Sequence, residues 1–320
     1  MKHLVQTVNY SINVHDYGER EGRTILAVTG LGLTGEVFKA YFRDLQRIWV
    51  DEQLRLVAVN RPGLDSPPIE HDIPLTLSDF AAMHIEVADA LNLTTFDLIG
   101  HSLGGPVVLK IAEMLGARVR TVFIIDGALY GAFLPSKYDW HPGENPNVAR
   151  IDGERFVEEF GAIPCTGHPI GIAIKGENSW PIIPDDPYGG WQAFSRIWST
   201  AYHRIIAPHL GAVLIQTSLG HIMHDPGPED LGEGRTIHGN PLAVAHFHAG
   251  VLRACNRADG RIIIPQPALD AAGAHIAYDP YLERPNADMR RPARRQTIAS
   301  LRKFSAAYLP GKPRYPSTVD

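Results

Sequence analysis

Apolar runs alternate with amphipathic stretches along the first 127 residues of the chain. Four short segments are apolar almost throughout, as expected of strands that are buried on both faces. They are 24–30, 54–60, 96–100 and 121–127. Between them, apolar side chains recur at helical spacing in 35–49, 77–93 and 106–116. This alternation predicts an α/β fold, with a mostly parallel, doubly wound sheet that helices cover on both faces.

The alternation stops at residue 128 and resumes only at residue 211. Pro and Gly are frequent between these positions, and aromatic rings are scattered through the segment. We interpret 128–210 as a helical or irregular insertion that forms a lid over the sheet. Its Trp140, Trp191 and Trp198 are candidate walls of an apolar substrate pocket. The alternative is that these rings pack a small core of the lid itself.

The sheet pattern returns after the insertion, where two more strands and two more helices are predicted. The strands are 211–217 and 260–266, and the helices are 241–256 and 295–308. We therefore expect residues 1–127 and 211–310 to form the core of the fold, with 311–320 as a C-terminal tail.

Composition excludes several classes of protein. The 320 residues carry a formal net charge of −5, whereas nucleic acids and acidic membrane surfaces attract concentrated positive charge. No apolar run approaches the roughly 18 residues of a membrane span, and the first residues lack the apolar core of a signal peptide. Two cysteines fit a reducing compartment. We expect a cytoplasmic protein that acts on a small molecule, without nucleic-acid or membrane partners and of open oligomeric state.

Ser102 is the candidate nucleophile. It is the central residue of Gly-x-Ser-x-Gly, and this motif stands between an apolar run and a helical segment. In that context the motif predicts a nucleophile elbow, a strained turn that lifts the serine hydroxyl above the sheet. The helix that follows favours developing negative charge at its start.

Three stretches of the chain resemble the α/β-hydrolase fold family. They are GHSLGG at 100–105, VNRPGLDSP at 59–67 and VTGLG at 28–32. The resemblance extends over 1–127 and 211–310, and it implies an oxyanion hole made by the backbone N–H groups of Leu31 and Leu103. Thr29 stands where this family usually has His. Backbone donors do not depend on that side chain.

The resemblance also implies a base and an acid for the serine. A serine hydroxyl needs a base to become a good nucleophile, and the family's histidine follows the last strand of the sheet. His275 has that position after the strand predicted at 260–266. The family's acid follows one of two earlier strands, which leaves Asp126 and, as the alternative, Asp225.

These residues predict a serine hydrolase that cleaves a hydrophobic carboxylic ester, lactone or thioester through an acyl-enzyme on Ser102. The alternative is a lid-covered ligand-binding protein, or a lyase or cyclase on the same fold, because a fold does not fix the chemistry. Histidines cluster at 220–225 and 245–250, but they lack the fixed spacing of a strong zinc signature. We therefore expect neither a metal nor a cofactor.

Overall fold

A sheet of nine strands forms the centre of the part of the chain that the structure describes. The structure is a computed structural model and describes residues 1–69, 74–127, 149–163, 171–178, 211–230 and 236–280. In chain order the strands are β1 (Lys2–Gln6), β2 (Ser11–Gly18), β3 (Arg23–Val28), β4 (Leu54–Val59), β5 (Phe96–His101), β6 (Val119–Ile125), β7 (Gly171–Asn178), β8 (Val213–Gly220), β9 (Pro228–Asp230), β10 (Thr236–His238) and β11 (Ala274–Tyr278). β9 and β10 form a separate antiparallel pair.

Six neighbouring strands of this sheet are parallel. The strand order is β1-β2-β4-β3-β5-β6-β7-β8-β11, and the run from β4 to β8 is parallel throughout. β2 and β11 pair antiparallel at the two sides of this run. The chain adds β4 on one side of β3 and then returns to add β5 on the other. Crevices outside the carboxyl ends of the strands at such a reversal are where α/β sheets bind ligands.

Six α-helices accompany the sheet in the described residues. They are α1 (Lys39–Ile48), α2 (Leu77–Ala90), α3 (Gly104–Leu115), α4 (Gly153–Ala162), α5 (Pro241–Ala254) and α6 (Gln266–Ala271). Thr76 and Asp79 form a capping box at the start of α2, and the Asn240 side chain caps α5. Within the described residues, no helix is long and apolar enough to span a membrane.

The helices pack on opposite faces of the sheet and bury both. In β3, Ile25 and Ala27 belong to the apolar layer that contains α1 and α5, whereas Leu26 and Val28 belong to the layer that contains α2 and α3. Burying one such Ile, Leu or Val side chain stabilises the fold by about 1.5–3 kcal/mol. Burial on both faces explains why the strands read as continuous apolar runs, and it confirms the predicted α/β architecture.

One strand of the sheet comes from the segment that we interpreted as an insertion. β7 pairs parallel with β6 and with β8, and its Ala173 and Ile174 are buried. The segment 128–210 is therefore not a single lid outside the sheet. Part of it, 149–163, carries α4, where Phe156 packs edge-on against Phe80 of α2 at 6.5 Å between ring centroids. The remainder lies outside the described residues, and so do Trp140, Trp191 and Trp198.

A second correction concerns the strand predicted at 260–266, which the structure does not contain. No strand covers residues 260–265, and α6 begins at Gln266. The backbone there passes close to α5 instead, since a Cβ placed on Gly250 of α5 would lie 2.8 Å from the carbonyl oxygen of Ile263, and Ile262 is buried in the same apolar layer as α5. β11 takes the edge of the sheet beside β8. The predicted helix at 295–308 and the tail at 311–320 lie outside the described residues.

Candidate active site

Ser102 occupies a sharp turn between a strand and a helix. β5 ends at His101, α3 begins at Gly104, and Ser102 between them has a φ of 52°. A non-glycine residue in this left-handed region costs roughly 1–2 kcal/mol and persists only where its surroundings impose it. Here the Ser102 amide donates to the Ile125 carbonyl at 3.0 Å, and the Gly105 amide donates to the Ser102 carbonyl at 3.0 Å.

The two glycines that flank Ser102 are required by close backbone contacts. A Cβ on Gly100 would lie 2.3 Å from the Gly104 carbonyl oxygen, and a Cβ on Gly104 would lie 2.2 Å from the Val28 carbonyl oxygen. Both distances are far shorter than a carbon–oxygen contact allows. The Gly-x-Ser-x-Gly pattern therefore reflects how tightly this turn packs against itself and against β3.

A loop after β3 approaches Ser102 from one side. A Cβ on Gly30 would lie 3.0 Å from the Ser102 Cβ, which brings the next residue, Leu31, beside the serine. Leu103 adjoins the serine at the start of α3. In the part of the chain that the structure describes, neither the Leu31 amide nor the Leu103 amide donates to a protein acceptor. Two free N–H groups beside a serine are the donors that an oxyanion requires.

A buried carboxylate and a histidine form a close pair near this turn. Asp126 follows β6, has a φ of 42° and is buried. Its Oδ2 lies 2.5 Å from Nδ1 of His221, which follows β8 and whose side chain is 20% exposed. A carboxylate bound to Nδ1 fixes the tautomer in which Nε2 carries no proton and can act as a base.

A lysine also contacts this carboxylate. Lys175 of β7 is fully buried, and its Nζ donates to Asp126 Oδ1 at 2.9 Å and to the Gly176 carbonyl at 2.6 Å. Burial alone would raise the pKa of Asp126. The charge of Lys175, together with the hydrogen bond and charge of His221, outweighs burial and holds the pKa of Asp126 well below its usual range. Asp126 is therefore ionised at neutral pH.

Two further histidines pack behind His221. The ring centroid of His101 lies 4.6 Å from that of His221 and 4.5 Å from that of His224. His101 Nε2 lies 3.0 Å from the His221 carbonyl oxygen, so this nitrogen is the donor. Burial, and then the charges of His224 and His221, lower the pKa of His101 well below 6.5. Burial likewise lowers the pKa of His224 to about 3. Both rings are neutral and support the turn through packing.

The structure does not bring His275 to this group, which corrects our expectation about the base. His275 lies on β11 at the edge of the sheet, opposite Gln216, and its side chain is exposed. In the described residues it forms no hydrogen bond or ion pair with a carboxylate. The physical reason is the strand order: β8 is the last parallel strand, and the histidine after it is His221.

The alternative acid Asp225 has a local role instead. Its Oδ1 accepts a hydrogen bond from the Gly227 amide at 2.7 Å, which stabilises the turn before β9. Sequence reasoning missed His221 and Lys175. The signal for His221 was available, since Gly220 and His221 directly follow an apolar run. A buried lysine leaves no comparable signal.

Comparison with known proteins agrees with this topology. The profile of the alpha/beta hydrolase fold family matches residues 23–157, which contain β3 to β6 and the Ser102 turn. The chain has the α/β-hydrolase fold. The six parallel strands and the helices on both faces are the architecture of that family.

Among curated proteins, this α/β-hydrolase is similar to RutD of Variovorax paradoxus (strain S110), which is named as a carbamate hydrolase. The two are 26% identical over 110 residues, which are 34% of this chain and 40% of RutD. The chain thus matches less than half of that relative's length.

Two solved structures match the chain at low identity, and the first of them shares its fold. A membrane phospholipase A described as a bacterial virulence factor matches with a TM-score of 0.52 and 17% identity, over 81% of this chain and 87% of that one. The carboxylesterase CesB from Bacillus subtilis matches with a TM-score of 0.46 and 16% identity, over 70% and 85% of the two chains.

Proposed function

We propose that this α/β-hydrolase cleaves a carboxylic ester, lactone or thioester through an acyl-enzyme on Ser102, with His221 as the base and Asp126 as the acid. The observation that carries the proposal is the contact of 2.5 Å between His221 Nδ1 and Asp126 Oδ2. Both residues follow parallel strands of the same sheet as Ser102, whose strained turn is the form that a nucleophile elbow takes.

The proposed reaction has two steps. Ser102 Oγ attacks the carbonyl carbon while its proton passes to Nε2 of His221, and the oxygen that becomes negative accepts hydrogen bonds from the Leu31 and Leu103 amides. The tetrahedral species then expels the alcohol or thiol, which takes the proton from His221. Water attacks the acyl-enzyme, gives its proton to His221, and Ser102 leaves with that proton as the acid is released.

Asp126 stabilises the charged form of His221 during both steps. Its carboxylate stays ionised, so the proton remains on the imidazole. Lys175 holds the other oxygen of Asp126 and thereby fixes which oxygen faces His221. Apolar side chains near the serine, among them Val59 and Phe80, favour a substrate whose body is hydrophobic. Two independent features support hydrolysis as the activity, the site itself and the name of the relative RutD.

A fluorophosphonate probe tests the proposal directly. Intact mass spectrometry after labelling is expected to show a single adduct on the wild-type protein and none on Ser102→Ala. His221→Ala is expected to label at least about a thousandfold more slowly, since triad members contribute on this scale. His275→Ala is the matched control and should label at the wild-type rate.

The contrary results have distinct meanings. Equal labelling of His221→Ala and wild type, with slow labelling of His275→Ala, would restore His275 as the base. Absence of any adduct on folded wild-type protein would reject the acyl-enzyme and favour a ligand-binding protein, a lyase or a cyclase on this fold.

A further inference from the structure

A buried arginine near Ser102 has no counter-ion in the part of the chain that the structure describes. Arg61 follows β4 and is 6% exposed, and its Nε and Nη1 atoms have no hydrogen-bond partner. Burial lowers the pKa of its guanidinium to about 10, so the group remains charged at neutral pH. A buried charge without a partner is costly to keep. Since no described residue supplies that partner, a bound anion is the candidate for it.

Arg61 lines a cavity that adjoins the proposed oxyanion hole. Gly30 and Leu103, which flank Ser102, line the same cavity. The other walls are mainly apolar, and they include Val59 and Phe80. A charge among apolar walls interacts strongly with an opposite charge, because little water is present to screen it.

His84 also lines this cavity and does not neutralise or add to the charge of Arg61. Its Nδ1 donates to the Phe80 carbonyl oxygen at 2.7 Å, which leaves Nε2 as an acceptor without a partner in the described residues. Burial lowers the pKa of His84 to about 4, so the ring is neutral. Among the described residues that line the cavity, Arg61 therefore supplies the one positive charge.

The nearest acid along the chain is already engaged elsewhere. Asp65 accepts a hydrogen bond from Lys2 Nζ at 2.7 Å, and its other oxygen lies 3.6 Å from His15 Nε2. Among the described residues no acid is thus left to pair with the Arg61 guanidinium, which is open to a bound anion. A planar guanidinium fits a carboxylate best, through two parallel hydrogen bonds.

We propose that Arg61 binds a carboxylate of the substrate, so that the enzyme prefers half-esters or half-thioesters of short dicarboxylic acids to neutral esters. This inference rests on the proposed function, because it concerns the substrate of the same serine. Apolar side chains beside Arg61, among them Val59 and Phe80, would contact the methylene groups between the reacting carbonyl and the carboxylate. Because Leu103 of the proposed oxyanion hole lines the same cavity as Arg61, we expect a spacer of a few carbon atoms.

Matched pairs of esters test this preference. The monomethyl and dimethyl esters of succinate, glutarate and adipate differ only in the free carboxylate. Wild type is expected to hydrolyse at least one monoester with a kcat/KM about tenfold or more above that of its diester. Arg61→Met should lower kcat/KM for that monoester by about 10- to 100-fold and leave the diester within about twofold. Arg61→Lys should retain part of the preference, since it keeps the charge but loses the fork.

Fluorophosphonate labelling separates this inference from the proposed function, because the probe carries no carboxylate. If Arg61→Met labels on Ser102 like wild type and loses the monoester preference, the inference is supported. If wild type labels but shows no monoester preference, the inference is overturned and the proposed function stands. If wild type does not label, calorimetry with succinate decides: binding that Arg61→Met abolishes supports the anion site, and absence of binding overturns it.

Thermal unfolding distinguishes a ligand site from a structural role. Methionine keeps most of the apolar stem of Arg61 and removes an uncompensated charge, so the midpoint of Arg61→Met is expected to be equal to or above that of wild type. Arg61→Met and Arg61→Lys both unfolding at markedly lower temperature would show that the guanidinium holds the fold, and that result overturns the inference.

Discussion

His221 Nδ1 lies 2.5 Å from Asp126 Oδ2, although 95 positions separate the two residues in sequence. They follow β8 and β6, and β7 lies between these strands. Lys175 of β7 bridges this gap by donating to the other oxygen of Asp126. The pair thus depends on three neighbouring strands being in register, and the inserted strand takes part in the site as well as in the sheet.

Replacing Asp126 by Asn should remove the proposed orienting acid while preserving side-chain shape. We expect the rate of fluorophosphonate labelling at Ser102 to fall by about 10³- to 10⁴-fold, because an amide favours the wrong tautomer of His221 and cannot stabilise the imidazolium. Labelling rates measured by intact mass spectrometry on folded protein check this prediction.

Asp225→Asn is the matched control for that experiment. Its side chain serves a local turn through the Gly227 amide, so labelling should remain within about twofold of wild type. A large loss in Asp225→Asn with little loss in Asp126→Asn would reverse the assignment of the acid.

Much of the fold and two members of the proposed triad were predictable because their signals are local. Strands buried on both faces form apolar runs, and Ser102 and Asp126 come directly after two such runs. The elbow was predictable for the same reason, since its glycines are fixed by contacts within a few residues of the serine and with β3.

The histidine was not predicted because its position depends on the order of the strands. β7 has only a short apolar run and lies among Pro and Gly residues, so it does not stand out from its surroundings. If β7 is not recognised, the strand at 213–220 is counted one position too early in the order of parallel strands. The base is then expected after a later strand, where His275 lies. The contact between Asp126 and Lys175 was not predicted for the same reason, because the sequence pattern does not show that β6 and β7 are neighbours.

Lys175→Met should destabilise the protein at neutral pH and make its stability less sensitive to acid. Removing one partner of a buried ion pair costs about 3–5 kcal/mol, and the pKa of Asp126 should rise because burial then opposes its charge more strongly. In wild type the depressed pKa of Asp126 contributes stability that is complete above its unfolded value of about 4 and lost as the pH falls below it.

Urea unfolding at pH 7 and pH 3 measures both effects of Lys175→Met, since wild type should lose more unfolding free energy between these pH values than the variant. The double variant Asp126→Asn/Lys175→Met should lose less free energy of unfolding than the sum of the two single variants, because it leaves neither charge buried alone. Strict additivity would contradict an energetically important contact between the two side chains.

Ser102→Gly should be more stable than Ser102→Ala. Both variants lack the hydroxyl, but alanine keeps a Cβ in the left-handed conformation that Ser102 adopts at a φ of 52°. Relief of this strain is worth about 1 kcal/mol after the greater chain entropy of glycine in the unfolded state is subtracted. Urea unfolding of the two inactive variants measures the difference. Equal stability, or greater stability of the alanine variant, would show that the turn is not strained at this residue.

His224→Phe should make the protein less sensitive to mild acid. His224 packs at 4.8 Å from the Phe38 ring, and burial, followed by the charge of His221, lowers its pKa from 6.5 to about 3. Between these two pH values the unfolded chain binds a proton at this residue and the folded protein does not, so stability falls as the pH falls below 6.5. At pH 5 the cost is about 2 kcal/mol. The loss of unfolding free energy from pH 7.5 to pH 5 should therefore be smaller by about that amount in the variant.

His275→Gln, at an exposed histidine, is the control for this experiment. An equal loss in His224→Phe and wild type would mean that His224 is not a source of the acid sensitivity.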